Sequence, residues 1–212
     1  IKTPITSIQA TVEGILDGVI EEEEQIHYLT TISRQTERLN KLVEELDVLT
    51  LNAQPRIESD GEAEIVFLDQ LLIEVMSEFQ LLIEQEERDI YIQVSPESAK
   101  IKSHYDKLSR ILVNLLNNAF KYSDPGTKIE VVAQLTEQIL TISVKDEGQG
   151  IAPEDLDKIF KRLYRVETSR NMKTGGHGLG LAIARELAHQ LGGKITVESQ
   201  CGLGSTFTFT LN

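Results

Sequence analysis

The chain has 212 residues, 40% of them hydrophobic, which is room for one large domain or a domain plus a small module, with enough apolar side chain for a core. A formal net charge of −13 argues against a nucleic-acid surface, which needs a basic stripe, and the excess acid serves solubility. Cys201 is the single cysteine, so no intrachain disulfide can form and a reducing compartment fits; no apolar run approaches the roughly 20 residues that cross a bilayer.

Nothing at the start reads as a signal peptide. Ile1-Lys2-Thr3-Pro4 has no initiator Met and reads as the interior of a longer protein. Helical periodicity then runs over 5–20 and 22–52. In the second stretch Leu29, Ile32, Thr36, Leu39, Val43 and Leu46 recur at spacings of three and four, a heptad-like seam that Ile5, Ile8, Val12, Ile15 and Val19 can face. Gly14 and Gly18 weaken the first helix, and Asp17-Gly18 predicts its end. The acids Glu21 to Glu24 suit the positive end of the next helix dipole. One helical hairpin cannot bury its whole stripe, whereas two can, so residues 1–52 are expected to be an antiparallel hairpin that forms a homodimeric four-helix bundle.

Residues 53–61, with Pro55 and Gly61, break both periodicities and read as a linker. From 62 to 212 strands and helices mix. Strands are predicted at 65–67, 90–94, 101–104, 129–134, 139–144, 194–199 and 205–211, with the fourth and fifth as a hairpin. Helices are predicted at 69–86, at 106–121 led by Asp106 as its cap, at 154–160, and at 178–191, the last ended by Gly192-Gly193. The fold class is α+β: a helical hairpin followed by an α/β sandwich, a sheet with helices on one face.

Four short motifs stand in order in this second part. Asn114, Asn118 and Lys121 follow i, i+4, i+7 spacing and share a helix face. Magnesium takes hard oxygen ligands and shares its shell with phosphates; a neutral amide oxygen ligates it without adding charge, and Lys121 can neutralise phosphate. A polar helix face in water is the alternative. Asp146-x-Gly148-x-Gly150 follows a strand directly. A buried carboxylate there can accept from the amino group of adenine and would reject guanine, which presents a carbonyl. Taken alone, the segment also reads as an ordinary turn. Gly175 to Leu181 is a glycine-rich stretch opening a helix, where free amides face an anion. Leu181 stands where a dinucleotide fingerprint needs a third small residue, and no Gly-Lys-Ser/Thr is present, so neither that fingerprint nor a Walker loop applies. Gly202-Leu-Gly204-Ser-Thr206-Phe207 is the last motif.

In this order the motifs resemble the N, G1, G2 and G3 boxes of sensor histidine kinases, whose ATP-binding fold is shared with gyrase, mismatch-repair and chaperone ATPases. Ile159-Phe160-Lys161-Arg162-Leu163-Tyr164-Arg165 resembles the F box between G1 and G2, with Leu163 where a second aromatic is usual. The resemblance implies that Asn118 ligates magnesium with Asn114 nearby, and that Lys121 and Tyr122 approach the phosphates. It implies that Asp146 holds adenine, while Gly148, Gly150, Ile151, Gly176, Gly178, Leu179, Gly180 and Thr206 shape the nucleotide pocket. Arg165 would reach the γ-phosphate from a lid at 161–177, Arg170 being a weaker candidate; a solvated lid charge is the alternative for both.

Ile1-Lys2-Thr3-Pro4 resembles the tail of the H box, His-Glu-(Ile/Leu)-Lys-Thr-Pro, which would put the phosphoacceptor histidine just before residue 1. Thr3 matches the position that assists the phosphatase reaction, or simply opens a helix. The resemblance therefore implies an MgATP-dependent histidine kinase core that passes its phosphoryl group to a response-regulator receiver domain. It also implies the cytoplasmic portion of a membrane-anchored sensor, any membrane contact being made by upstream segments. Residues 1–212 alone are expected to bind MgATP without forming phosphohistidine. A nucleotide-binding scaffold or pseudokinase is the alternative; a gyrase- or chaperone-type ATPase fits the Lys2-Thr3-Pro4 remnant and the heptad hairpin less well.

Overall fold

The computed structural model describes residues 2–17, 19, 24–36, 62–166 and 178–212. The chain divides into two compact units, Ile1–Ala53 and Gln54–Asn212. In the first unit helix α1 spans Lys2–Leu16 and a second helix, α2, occupies 24–36. Asp17 N–H still bonds to Glu13 O at 2.8 Å, and Val19 N–H to Gly14 O at 3.0 Å, which closes α1 in a wider last turn. Within this unit Leu16 and Val19 are each 78% exposed and Ile26 76%, so the chain leaves much of its own apolar stripe open to water. Leu39, Val43 and Leu46 of the predicted seam, Glu21 to Glu23, and the predicted linker lie outside the described residues.

The second unit opens with strand β1 (Glu64–Phe67) and helices α3 (Leu68–Ser77) and α4 (Gln80–Gln85). Strands β2 (Asp89–Ser95) and β3 (Lys100–Ser103) follow, then helix α5 (Tyr105–Tyr122). The hairpin β4 (Lys128–Thr136) and β5 (Ile139–Asp146) comes next, then α6 (Gly180–Gln190), β6 (Lys194–Gln200) and β7 (Gly204–Leu211). Five strands form one sheet in the order β2-β4-β5-β7-β6; β2 and β4 are parallel and the other neighbours antiparallel. β1 and β3 pair separately, antiparallel.

Strand alternation decides which face is covered. Ile129, Val131 and Ala133 of β4, Leu140, Ile142 and Val144 of β5, and Phe207, Phe209 and Leu211 of β7 are all buried on one face. Glu130, Gln134, Thr141, Ser143, Lys145, Thr208 and Thr210 take the intervening positions. Helix α5 fits the covered face because Leu108, Ile111, Leu112, Leu115, Leu116 and Ala119 repeat at three and four and are all buried. Each leucine or isoleucine removed from water in this way stabilises by roughly 1.5–3 kcal/mol. The result is the expected α+β class, with helices on one face of a mixed sheet.

Three expected elements differ. The helix predicted over 69–86 is broken: Glu78 and Phe79 bond back three residues, to Val75 O and Met76 O, and the Phe79 ring stacks on Phe120 at 5.0 Å and 5°. Packing against α5 outweighs continuation of the helix. Asp106 is not the cap of α5. His104 holds that position without a side-chain cap bond, and Asp106 lies in the first turn, where its charge meets the helix dipole. The helix predicted at 154–160 is a short 3-10 turn, Pro153–Asp155, followed by further turns. Those turns carry Ile159 and Phe160 into the core at 9% and 7% exposure.

Candidate nucleotide site

Helix α5 presents two faces. The apolar one is sealed against the sheet, and Asn114, Asn118, Lys121 and Tyr122 lie half-buried on the rest, while Asn117 is exposed. The Asn114 amide nitrogen donates to Arg110 O at 2.7 Å on its own helix, and the side-chain oxygen is left to accept. That oxygen lies against Gly180: a Cβ added there would stand 2.9 Å from it. The first residue of α6 is therefore small because α5 approaches so closely. Lys121 Nζ lies 5.0 Å from the centre of the Tyr122 ring.

Asp146 ends β5 on the covered face of the sheet and is 2% exposed. Gly148 N–H donates to its Oδ1 at 2.9 Å, and the Ser205 amide, opposite it on β7, donates as well. Burial nevertheless pushes the carboxyl above its ordinary value, the two amides offsetting only part of that effect. A buried carboxylate whose pKa is shifted by burial is a candidate functional group.

The turn after Asp146 is tied to its neighbours by backbone. Gln149 N–H donates to Tyr122 O at 3.1 Å, joining the last turn of α5 to this segment. Gly148 packs so closely there that a Cβ would fall 2.2 Å from Tyr122 O. Gly150 has φ +69°, and a Cβ on it would lie 2.0 Å from Gln200 O. Ile151 N–H donates to Ser199 Oγ at 2.8 Å, and Ser199 Oγ in turn donates to Gly204 O at 2.8 Å. Gly202 N–H reaches Gln149 O at 2.7 Å. The G1-like and G3-like turns are thus one hydrogen-bonded body around Asp146.

On the other side, Gly178 (φ +71°) accepts from Leu163 N–H at 3.0 Å through its carbonyl, which brings the F-box-like segment to the start of α6. Leu179 is buried and Gly180 half-buried. Tyr164 donates its hydroxyl to Asp155 Oδ1 at 2.6 Å, and Lys158 pairs with the same oxygen at 3.2 Å. The Tyr164 bond, ahead of Lys158, holds the Asp155 carboxyl below its ordinary value. Arg185 sits 5.3 Å over the Phe160 ring, whose edge meets Phe207. Arg165 is half-buried at the end of this segment. Gly176, Arg170 and the predicted lid beyond 166 lie outside the described residues, and Thr3 lies in the first turn of α1 in the other unit.

The predicted Thr206 and its neighbour Ser205 leave β7 on opposite faces. Thr206 pairs with Lys145 and Glu198 on the opposite face of the sheet from Asp146, because Phe207, Phe209 and Leu211 must all point into the core. Ser205 occupies the inward position and holds the Asp146 carboxylate through its amide. Strand alternation counted back from Phe207 would have found it. Ser199 was also missed; a lone serine on an edge strand carries no signal before the turns are seen together.

A family model described as histidine kinase-, DNA gyrase B- and HSP90-like ATPase matches residues 103–212, and one described as the His Kinase A (phospho-acceptor) domain matches residues 1–54. The histidine protein kinase SaeS of Staphylococcus epidermidis is 39% identical over 215 residues, covering 100% of this chain and 60% of the relative. The chain therefore spans less than two thirds of that relative. The solved histidine kinase AdeS of Acinetobacter baumannii superposes with a TM-score of 0.78 at 28% identity, covering 100% of this chain and 95% of that one. The full-length ShkA, solved in complex with AMPPNP, gives a TM-score of 0.75 at 25% identity, covering 91% of this chain and 39% of that one. The chain belongs to the histidine kinase-, DNA gyrase B- and HSP90-like ATPase family.

Proposed function

We propose that residues 62–212 bind MgATP and that the intact protein transfers its γ-phosphoryl group to a histidine nitrogen, then to an aspartate of a response-regulator receiver domain. The observation that supports this reading is the bond from Gln149 N–H to Tyr122 O, which ties the turn after the buried Asp146 to the end of the helix that carries Asn114, Asn118 and Lys121. Asp146 accepts from the adenine amino group, with Gly148, Gly150, Ile151, Gly178, Leu179 and Gly180 shaping the walls. Lys121 and Tyr122 face the phosphates.

The donor set fits magnesium: neutral amide oxygens of Asn118 and Asn114 on one helix face suit a hard cation that shares its shell with phosphate. The metal would neutralise charge on the phosphates. In the transfer the bond from the γ-phosphorus to the β–γ bridging oxygen breaks, a bond to the histidine nitrogen forms, and ADP leaves with the bridging oxygen. The transition state is loose, so the protein's work is positioning and charge neutralisation, for which Lys121 and Arg165 are the cations at hand. Thr3 orients water for the phosphatase reaction, in which water attacks the regulator's aspartyl phosphate and releases inorganic phosphate and the free carboxylate.

Residues 1–52 form the homodimeric bundle; the exposed Leu16, Val19, Ile26 and Leu29 support a partner helix pair covering this stripe. A membrane anchor supplied by other segments, with this part in the cytoplasm, is included in the proposal; the relatives that the chain matches are longer than it. No helix among the described residues is long and apolar enough to cross a membrane.

The test is a chain extended by His-Glu ahead of Ile1, incubated with γ-labelled MgATP. Acid-labile, alkali-stable label on the added histidine is expected, and its transfer to a receiver domain should follow. A folded, ATP-binding chain that takes no label overturns the proposal.

A further inference from the structure

We propose that Arg88 is a positioning residue of the nucleotide site: it fixes the last turn of α5, and with it Lys121, Tyr122 and the turn after Asp146. The proposal rests on the nucleotide reading above. Arg88 lies in the short connection between α4 and β2, outside every motif, yet its side chain is 1% exposed. Burying a guanidinium is costly unless every face of it is satisfied, and here it is.

Its Nε and NH2 pair with Glu86 Oε2, at 2.8 and 2.7 Å. NH2 also donates to Phe120 O at 3.1 Å and Ser123 O at 2.9 Å. NH1 donates to Ser123 Oγ at 2.7 Å, to Thr127 Oγ1 at 2.8 Å and to Asp124 O. The guanidinium also lies 5.6 Å from the centre of the Phe120 ring. Gly126 N–H donates to Glu86 O at 2.8 Å, closing the 86–88 and 123–127 segments on each other.

The acceptors define the role. The last carbonyls of a helix have no intrahelical donors and form the negative end of its dipole. Arg88 takes those of Phe120, Ser123 and Asp124, and the Tyr122 carbonyl, between them, goes to Gln149. The final turn of α5 is therefore held from two sides, by a buried cation and by the turn that carries the adenine-reading carboxylate. Lysine could keep the charge but not the fork, since its three donors leave from one atom. A residue that merely filled the core would satisfy itself without sharing out successive carbonyls with the site.

The experiment uses the full chain with Arg88→Lys and, separately, Ser123→Ala. MgATP affinity is measured by calorimetry well below each variant's melting midpoint, together with hydrogen exchange at the Gln149 amide. Losing the fork is expected to weaken MgATP binding about tenfold in Arg88→Lys and about threefold in Ser123→Ala, the scale of lost charge-assisted bonds, with faster exchange at Gln149. A purely structural role would lower the melting midpoint and leave the affinity of the folded protein unchanged, and that result overturns the proposal. Should Arg88→Lys not fold, Ser123→Ala decides by the same criterion. Asp146→Asn is run alongside. If wild type does not bind MgATP, the nucleotide reading itself fails; if wild type binds and only Asp146→Asn weakens binding, Arg88 alone is excluded.

Discussion

Asp146→Asn separates what this carboxylate does for the fold from what it does for the ligand, and the two effects have opposite signs. The substitution keeps shape and volume, so no cavity opens at a side chain only 2% exposed. The Asn oxygen must stay where Oδ1 accepts Gly148 N–H at 2.9 Å, so the amide nitrogen replaces the oxygen left for the base. Adenine then meets a donor with its own amino donor. A hydrogen bond to a charged group contributes about 1.5–3 kcal/mol, or roughly 10- to 150-fold in affinity, and the donor clash pushes the loss to the upper part of that range. Guanine, with a carbonyl at that position, gains a donor, so the preference for adenine narrows or inverts.

Stability moves the other way. Burial raises the Asp146 pKa, so the folded state holds its proton at pH values where the unfolded chain has already lost it. The ionisation penalty is absent below the carboxyl's ordinary value of 3.8, grows as pH rises past it, and is complete above the raised folded value. The variant escapes this penalty, so it should melt above wild type at pH 7, the difference vanishing below about pH 3.8. Calorimetric titration with MgATP and MgGTP at pH 7, with melting curves across the acid range, measures both effects. An ATP affinity within about twofold of wild type, or an unchanged ratio of ATP to GTP affinity, refutes the assignment.

Glycine substitutions should rank by what a Cβ meets rather than by φ. Gly204→Ala, where φ is +92° and the Cβ would stand 1.9 Å from Asp146 O, should destabilise by about 4 kcal/mol or more and weaken nucleotide binding. Gly126→Ala, at φ +78° with nothing within 4 Å, should cost only about 1–2 kcal/mol and leave binding intact; equal losses in denaturant melts would contradict the packing argument. Asn118→Ala should weaken MgATP binding about tenfold and leave metal-free ATP binding in EDTA unchanged, whereas equal losses in both would remove Asn118 from the metal. Tyr164→Phe should return the Asp155 carboxyl toward its ordinary value. Because the depressed pKa stabilises the fold above 3.8 and that contribution is lost as pH falls through the folded value, the melting difference between wild type and variant should shrink toward low pH. An Asp155 titration by NMR that is indifferent to the hydroxyl would rule this out.

The α+β class and most of the strands were legible because apolar spacing is local. A strand such as Ile129–Ala133 announces its face by alternation, and α5 announces its own by threes and fours. The broken helix at Phe79 was not legible, because the ring that claims Phe79 is that of Phe120, far along the chain in α5. Nor was the missing helix after Pro153, where turns direct Ile159 and Phe160 into a core formed mainly by distant strands.

The site divides along the same line. Asn114, Asn118, Lys121, Asp146 and the glycines were readable from sequence as candidates because the proposed chemistry needs particular residue types at fixed spacings along one helix or turn. That Ser205, not Thr206, faces inward beside Asp146 was decided by which face of β7 the core claims. Arg88 was decided by which distant helix end lies next to the α4–β2 connection. The sequence by itself determined the class of chemistry, since periodicity and ligand type are properties of neighbours in the chain. Only the tertiary structure decided which groups hold that chemistry in place, because a buried cation or an inward serine is defined by partners that lie far away along the chain.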